Sequence, residues 1–291
     1  MRVDRFPQPG ETVAGFELAE SGGGKSANQA YASAKLGGNA SLIAGVGVDA
    51  AGIGLLAEAA RAGIDVSGCV SIANVPTGRA FIERDAAGEN RIVIAAGANG
   101  ALQPDHIHAD QLDGRAVVCF ALEVPIETVR RGLEAAQEVG AMTLLNPSPF
   151  TADMVDLLPW TDILIVNAHE SEQLASLLDT DMTELVRAHA LTAVIVTAGS
   201  AGSTIYDGEG GTAVPTFDID ALDTTGCGDA FTGAVATALA AGRDLHDAVE
   251  LGTAVGAYSA ERVGAQPSYP TRAELDLWLV RARRGTSPVA R

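Results

Sequence analysis

Residues 222–242, LDTTGCGDAFTGAVATALAAG, combine small residues, a carboxylate and an Ala-rich helical pattern. Gly226, Cys227 and Gly228 stand where the predicted helix begins, so their backbone N–H groups can converge on an anion. A helix N-terminus stabilises an anion by about 0.3–1 kcal/mol, and by up to about 2 kcal/mol when partly buried. Asp229 follows in the first turn. A carboxylate beside an anion pocket can accept the proton of a substrate hydroxyl during phosphoryl transfer, so Asp229 is a candidate for a general base.

A simpler interpretation of Asp229 is an acidic residue that only compensates the helix dipole. Asp223, six positions earlier, and the unsatisfied N–H donors of residues 226–228 favour the site. Cys227 also allows two interpretations: a helix N-terminus can lower the pKa of a thiol and make it reactive, or the position uses only the backbone N–H and tolerates a small side chain. The second interpretation is favoured.

A second candidate is AESGGGKS (residues 19–26), which satisfies the loose pattern of a phosphate-binding loop. That pattern needs a buried strand before it and a helix after it. Residues 26–37 are Ala-rich and precede Gly37 and Gly38, as expected of a helix with a C-terminal stop. The preceding ETVAGFELAE alternates apolar and polar residues, which is typical of a half-exposed strand. The nucleotide-loop interpretation is therefore disfavoured.

Composition excludes several classes of function. The chain has 37 acidic and 19 basic residues and a net charge of -18, which would repel nucleic acid and anionic membranes. No run of about 18 apolar residues predicts a membrane span, and the first residues lack a secretory pattern. Three cysteines without CxxC spacing predict neither a zinc site nor disulfides. These features are typical of a cytoplasmic protein with small-molecule ligands.

The elements that must position these residues alternate between apolar strands and amphipathic helices. Strands are predicted at 41–47, 116–122, 142–146, 162–167 and 193–197, and helices at 26–37, 52–63, 126–140 and 170–178. This alternation predicts an α/β fold with a mostly parallel sheet covered on both faces. Segments near 10–20 and 77–96 instead predict a small antiparallel sheet, a lid over the ligand crevice. No linker divides the chain, so residues 1–291 form one predicted domain.

Taken together, the motifs resemble the ribokinase-like (PfkB-type) carbohydrate kinases, from about Pro9 to Leu279. The motifs that carry the resemblance are GGGKSANQAYASAKLGG (22–38), GVGVDAAG (45–52), DTTGCGD (223–229), PGET (9–12), AGAN (96–99), LEVPIETV (122–129), NxxE (167–170), TAGSAG (197–202) and GAQPS (264–268). The resemblance implies a three-layer sandwich with a β lid, and it implies that GGGKSAN is a sugar-binding loop whose match to a phosphate loop is coincidental.

The resemblance also implies residue roles. Asp229 would be the base, and the N–H groups of 226–228 the anion hole. Sugar contacts would come from Gly23, Gly24, Lys25, Asn28 and Glu123. The nucleotide would be bordered by Asn167, Thr197, Gly199, Ser200 and Gly202. Asn167 and Glu170 would organise magnesium, through water. A potassium-type site would be formed by Asp223, Thr225, Ser259, Arg262, Gly264 and Ser268, mostly through backbone oxygens, which suit a hard cation.

The implied activity is ATP-dependent phosphorylation of the 5-hydroxyl of D-ribose, with homodimers formed through the lid. Two alternatives stay open: a sibling kinase for deoxyribose, another sugar or a nucleoside, and a nucleotide-binding protein without catalysis. The second alternative arises because family members begin with an apolar strand ending in Asn-x-Asp, and Met1 falls just after that point. Asp4 corresponds to the lid strand and is no substitute. The expectation is that the missing strand is encoded upstream, because its loss would leave buried groups unsatisfied.

Overall fold

The computed structural model describes residues 1–86 and 89–285. Its strands are β1 (Arg2–Val3), β2 (Gly15–Glu17), β3 (Gly45–Gly47), β4 (Val70–Ile72), β5 (Arg79–Arg84), β6 (Asn90–Ala95), β7 (Val117–Ala121), β8 (Met142–Asn146), β9 (Ile163–Asn167), β10 (Ala193–Thr197), β11 (Ser203–Tyr206) and β12 (Gly211–Val214). Its α-helices are α1 (Lys25–Lys35), α2 (Ala50–Arg61), α3 (Ile126–Glu138), α4 (Ala168–Leu178), α5 (Met182–His189), α6 (Cys227–Ala240), α7 (Leu245–Ala260) and α8 (Arg272–Gly285). Among the described residues, no helix is both long and apolar enough to cross a membrane.

The main sheet has six strands in the order β12-β11-β10-β9-β8-β7. Strands β7 to β10 run parallel, whereas β11 and β12 are antiparallel additions at one side. The parallel strands are apolar along most of their length, for example ILIV at 163–166, which is fully buried. Such strands must be covered on both faces. The predicted mostly parallel sheet is therefore confirmed.

Helices form a layer on each face of this sheet. Phe231 and Val255, from α6 and α7, belong to one buried cluster. Leu133 and Leu185, from α3 and α5, belong to a second cluster on the opposite face. Two helical layers around one sheet make the three-layer α/β sandwich that the resemblance implies.

Close packing of α1 against α6 sets the distance between the two helices that carry Asn28 and Asp229. A Cβ atom at Gly233 would lie 2.3 Å from the backbone oxygen of Gln29 and 2.9 Å from the Cβ of Ala32. Gly233→Ala is therefore expected to push the helices apart and to lower the unfolding free energy by about 1–3 kcal/mol. Thermal unfolding measures this loss. Gly54→Ala on α2, where a Cβ would meet open space, is the control, and equal melting temperatures of the two variants would contradict the tight contact.

A separate four-stranded sheet, in the order β2-β1-β5-β6, forms the lid. Its main unit is the antiparallel pair β5–β6, in which Phe81 faces Val93 and Ile82 faces Ile92. These four side chains are 40–66% exposed. Because alternate residues point to opposite faces of a strand, the lid has apolar side chains on both faces. The turn predicted between β5 and β6 includes Ala87 and Gly88, which lie outside the described residues.

A groove interrupts the sheet beside β7. The strand predicted at 41–47 is wrong in part, because only Gly45–Gly47 forms a strand, paired with β4, and residue 41 makes an isolated bridge to Asp65. Between residues 38–43 and the edge strand β7 lies a cavity of about 240 Å³. Its walls include Ala30, Val129, Gly132, Ala236 and Ala240, from helices of both layers. Residues 41–44 have no strand partner on the groove side among the described residues, so the predicted strand is shortened.

Candidate active site

The predicted site residues gather at one edge of the main sheet. Because β7 to β10 are parallel, their carboxyl ends lie on the same side, where open α/β sheets bind ligands. Glu123 follows β7, Asn167 ends β9 and Thr197 ends β10. The first turns of α1 and α6 carry Asn28 and Asp229. Hydrogen bonds between α1, α6 and the segment after β7 join Asn28, Asp229 and Glu123 into one group, and Asn167 and Thr197 lie at the same edge of the sheet.

Asp229, the third residue of α6, is a buried carboxylate with 6% exposure. Its Oδ2 accepts a 2.8 Å hydrogen bond from Nδ2 of Asn28. Burial raises the pKa of Asp229, while the charge of Lys25 and the hydrogen bond from Asn28 lower it and the charge of Glu123 raises it. A raised pKa makes a carboxylate a stronger base, as proton abstraction requires.

The backbone just before α6 requires glycine. Gly226 has φ 73°, and a Cβ atom there would lie 2.6 Å from both the Tyr269 hydroxyl and the Cβ of Ala265. The Tyr269 hydroxyl donates to the Gly226 oxygen over 3.0 Å. A Cβ at Gly228, by contrast, would meet no heavy atom within 4 Å. The space beside Gly228, next to Asp229, is therefore open, whereas the Cys227 N–H already donates to the Thr224 oxygen over 3.2 Å.

Cys227 is a poor nucleophile in this setting. Burial and the negative charges of Asp223 and Asp229 raise the pKa of its thiol to about 11. Its Sγ lies 3.8 Å from the Asp223 oxygen. The raised pKa favours the interpretation in which Cys227 is a small tolerated residue over the reactive-thiol interpretation. Its backbone N–H donates to the backbone oxygen of Thr224 over 3.2 Å in this structure.

The GGGKSAN loop and Glu123 meet Asp229 from the other side. The backbone N–H of Lys25 donates to Oε2 of Glu123 over 2.6 Å. Gly24 has φ 94°, and a Cβ there would lie 3.7 Å from the same oxygen. Gly23 borders open space. The strand before this loop, β2, is exposed and belongs to the lid, so the buried strand of a nucleotide loop is absent from this position, as the sequence predicts.

The predicted nucleotide residues lie at the ends of β9 and β10. Asn167 pairs with Thr197 in the sheet register, and the Thr197 hydroxyl donates to the Val166 oxygen over 3.4 Å. Asn167 and Glu170 form a capping box: the Asn167 side chain accepts from the Glu170 N–H over 2.8 Å, and the Glu170 carboxylate accepts from the Asn167 N–H over 2.9 Å. Gly199, Ser200 and Gly202 form the turn after β10, in which both glycines have positive φ. In the part of the chain that the structure describes, none of these residues hydrogen-bonds to Asp229.

The six residues of the predicted cation site lie in three places: just before α6, at the end of α7 and in the loop after α7. Asp223 accepts from the Thr225 N–H and hydroxyl over 3.0 and 2.7 Å, and from the Gly264 N–H over 2.9 Å. Burial raises the pKa of Asp223, but these hydrogen bonds and the charge of Arg84 outweigh it and lower the pKa overall.

The side chains of the other members of this set already have partners within the protein. The Ser259 hydroxyl donates to the Val255 oxygen and the Ser268 hydroxyl to the Ala265 oxygen. The Arg262 guanidinium stacks on the Tyr258 ring at 3.4 Å. This positively charged side chain is therefore not a candidate ligand for a cation. An ionised carboxylate with several backbone oxygens fits a hard monovalent or divalent cation.

Sequence reasoning missed two residues that hold these parts together. Gln266 donates from Nε2 to Oδ1 of Asn28 over 3.0 Å. Tyr269, only 2% exposed, fixes Gly226 through its hydroxyl, and Nζ of Lys35 donates to the backbone oxygen of Tyr269. The available signal was the position of Gln266 inside GAQPS, between Gly264 and Ser268. Its partner is 238 residues away, which local patterns cannot reveal.

A parallel sheet with a lid, a carboxylate at a helix N-terminus and glycine-rich loops defines the class of small-molecule phosphotransferases. Comparison with known proteins specifies the class further. The model of the pfkB family of carbohydrate kinases matches residues 1–272. Ribokinase of Staphylococcus aureus is 33% identical, over 95% of this chain and 94% of its own length. Ribokinase of Schizosaccharomyces pombe is 34% identical, over 95% and 92%.

Solved structures agree. Ribokinase from Thermotoga maritima has a TM-score of 0.88 and 34% identity, covering 96% of this chain and 94% of its own. Arabidopsis thaliana ribokinase, solved with ribose and ATP, has a TM-score of 0.83 and 27% identity, covering 96% and 94%. The chain belongs to the pfkB family of carbohydrate kinases. It is an ATP-dependent carbohydrate kinase, as the resemblance implies.

Proposed function

We propose that this kinase transfers the γ-phosphoryl group of ATP to the 5-hydroxyl of D-ribose, with Asp229 as general base. The observation that carries the proposal is a buried carboxylate, oriented by Asn28, next to the N–H groups of residues 226–228. The ribokinase relatives support ribose as the sugar.

In this mechanism each residue has one task. Gly23, Gly24, Lys25, Asn28 and Glu123 bind the sugar hydroxyls and place the 5-hydroxyl beside Asp229. Asp229 accepts the proton of that hydroxyl as its oxygen forms a bond to the γ-phosphorus. The bond from this phosphorus to the bridging oxygen breaks, and ADP leaves with the electron pair. Because the transferring phosphoryl group is loosely bonded at the transition state, positioning and charge neutralisation do most of the work.

Charge neutralisation in an acidic chain must come from local donors. The start of α6 has open space beside Gly228, where phosphoryl oxygens would bind. The N–H groups of Gly226, Cys227 and Gly228 would hold them, and the Cys227 N–H would have to exchange its present acceptor, the Thr224 oxygen, for the phosphoryl group. The charge of Lys25 acts on Asp229, so it also acts on a group transferred beside that carboxylate. Thr197, Gly199, Ser200 and Gly202 would border the nucleotide.

Two metal ions are part of the proposal. Magnesium, which neutralises phosphate charge, would be held by Asn167 and Glu170. Direct coordination by both side chains would break the capping box that joins them, so contact through water fits better. Potassium would be held by the oxygens around Asp223, Thr225, Ser259, Gly264 and Ser268. Arg262 would contribute through its backbone oxygen, because its guanidinium is stacked on Tyr258.

The test is ADP release with ATP and a panel of ribose, 2-deoxyribose, fructose and adenosine. Ribose is expected to give the highest kcat/KM, with the phosphate on the 5-oxygen by ³¹P–¹H NMR of the product. A preference for deoxyribose or adenosine would instead favour a sibling kinase. Nucleotide binding without any acceptor-dependent ADP release would favour a protein without catalysis.

We also propose a homodimer formed through the lid. The lid has exposed apolar side chains on both faces, whereas covering one crevice needs only one face. Phe81 and Ile82 point to opposite faces. Of the variants Phe81→Glu and Ile82→Glu, the one that changes the dimer face should therefore sediment as a monomer. The one that changes the crevice face should stay dimeric and mainly raise the KM for ribose. A wild-type chain that sediments as a monomer at micromolar concentration would exclude the dimer.

A further proposal concerns the groove beside β7. An apolar strand, parallel to β7 and joined ahead of Met1, would complete the sheet between β7 and residues 38–43. Three features of the described residues support it: β7 has no partner strand on its groove side, the cavity lies there, and the buried Gln29 amide, which borders the groove, makes no hydrogen bond of normal geometry.

A further inference from the structure

The segment Gly264–Tyr269, in the loop between α7 and α8, contacts the site at three points. The Gly264 N–H donates to Asp223 over 2.9 Å. The Tyr269 hydroxyl donates to the Gly226 oxygen over 3.0 Å. Between them, the Gln266 side chain reaches Asn28. One short segment thus touches both the start of α6 and the start of α1.

Gln266, Asn28 and Asp229 form a directed chain of hydrogen bonds. Gln266 donates from Nε2 to Oδ1 of Asn28 over 3.0 Å, and Asn28 donates from Nδ2 to Oδ2 of Asp229 over 2.8 Å. A side-chain amide has one donor end and one acceptor end. Because Gln266 occupies the acceptor end of Asn28, the donor end faces the carboxylate. The opposite orientation would place the Asn28 oxygen against the Asp229 oxygens.

Gln266 is itself fixed in place. A Cβ atom at Gly22 would lie 2.8 Å from Oε1 of Gln266, so the Gln266 amide packs directly on the GGGKSAN loop. The Ser268 hydroxyl donates to the Ala265 oxygen over 2.7 Å and closes the turn that carries Gln266. The chain of amides is therefore anchored at both ends, by this turn and by α6.

We propose that Gln266 is a positioning residue for phosphoryl transfer, which fixes the Asn28 amide so that it donates to Asp229. This inference rests on the proposed function, because it needs Asp229 to be the general base. In this proposal Gln266 does not contact the sugar or the nucleotide and acts only through Asn28.

The charged and titratable groups around Asp229 define what the loss of Gln266 would do. Lys25 and Glu123 face Asp229 from α1 and from the segment after β7. Cys227 and Tyr269 also face it, and both stay neutral because their pKa values are raised. The Asn28 hydrogen bond is one of the interactions that lower the pKa of Asp229 against burial. Without Gln266 holding Asn28, we expect the pKa of Asp229 to rise, so that a smaller fraction of Asp229 is ionised at a given pH.

The first experiment replaces Gln266 with an isosteric group that only accepts. In Gln266→Glu the carboxylate draws the Asn28 NH₂ group toward itself and turns the Asn28 oxygen toward Asp229. The expected kcat at pH 7 falls by about tenfold to a hundredfold, the value of a hydrogen bond to a charged group. The acidic limb of the kcat profile moves to higher pH, and the KM for ATP stays unchanged. Gln266→Leu, which adds no charge, should show the same shift with a smaller loss.

A double-mutant cycle separates positioning from simple damage. If Gln266 acts through Asn28, then Gln266→Leu has little further effect in an Asn28→Ala background. Additive losses in the cycle, or an unmoved acidic limb in both Gln266 variants, would overturn the proposal. Gln137→Glu, on the exposed face of α3, is the charge control and should match wild type. If Asp229→Asn retains full kcat, the proposed function fails; if Asp229→Asn is inactive and both Gln266 variants match wild type, only this inference fails.

Discussion

Asp229→Asn is expected to lower kcat by about 10²- to 10⁴-fold, the usual contribution of a general base. Nucleotide affinity should remain nearly unchanged. The reason is local: Asn keeps the size of Asp and still accepts the Asn28 hydrogen bond, but it cannot accept the proton of the sugar hydroxyl. Steady-state kinetics with ribose and calorimetric titration with a non-hydrolysable ATP analogue measure the two quantities separately.

The fold supplies a matched control. Asp247 is the third residue of α7, as Asp229 is of α6, but it is exposed. Both side chains favour the positive end of a helix dipole. Asp247→Asn should therefore keep wild-type kcat if Asp229 is more than a dipole-compensating residue. If Asp229→Asn loses nucleotide affinity as much as it loses turnover, the assignment of Asp229 as the general base is contradicted.

Stability gives an independent check with a definite sign. Burial raises the pKa of Asp229, so the folded state binds this proton more tightly than the unfolded state does. The ionised side chain therefore costs stability, and that cost appears as pH rises from the unfolded to the folded pKa. Asn removes the buried charge. At neutral pH the melting temperature of Asp229→Asn is expected to equal or exceed that of wild type.

The local parts of the fold could be predicted from sequence. Apolar runs such as ILIV (163–166) predict buried strands, and small residues before an Ala-rich segment predict the start of α6. The regions around Cys227 show the limit of this reasoning. A helix N-terminus lowers a thiol pKa, but burial and two carboxylates, which only the folded chain brings together, raise it to about 11.

Tertiary contacts decide the rest. Asn28 and Asp229 are 201 residues apart, and Gln266 and Asn28 are 238 apart. Their motifs could be recognised singly, but no spacing rule states that one amide orients the other. The strand predicted at 41–47 shows the same limit, because its apolar pattern is real and its length depends on whether a partner lies alongside.

The groove beside β7 lies next to this shortened strand, and the proposal that an added strand would fill it can be tested. Cys119 and Phe120 of β7 pack toward opposite helical layers, so a strand alongside β7 would be covered on both faces, as apolar parallel strands are. Met1 is well placed to join such a strand: its amino nitrogen donates to the Ile82 oxygen over 2.8 Å, and a peptide N–H at Met1 could make the same bond.

Fusing an apolar strand of about six residues, with a short linker, ahead of Met1 is expected to raise the unfolding free energy by about 2–4 kcal/mol, after the ordering cost is subtracted from the burial gain. The melting temperature should rise by about 5–10 °C, and kcat should rise because α1 and α6 border the groove. A fused strand with Lys at alternate positions should give no gain. Ala236→Arg, which fills the groove from α6, should abolish the gain of the apolar fusion, and an equal gain with and without this substitution would show that the strand binds elsewhere.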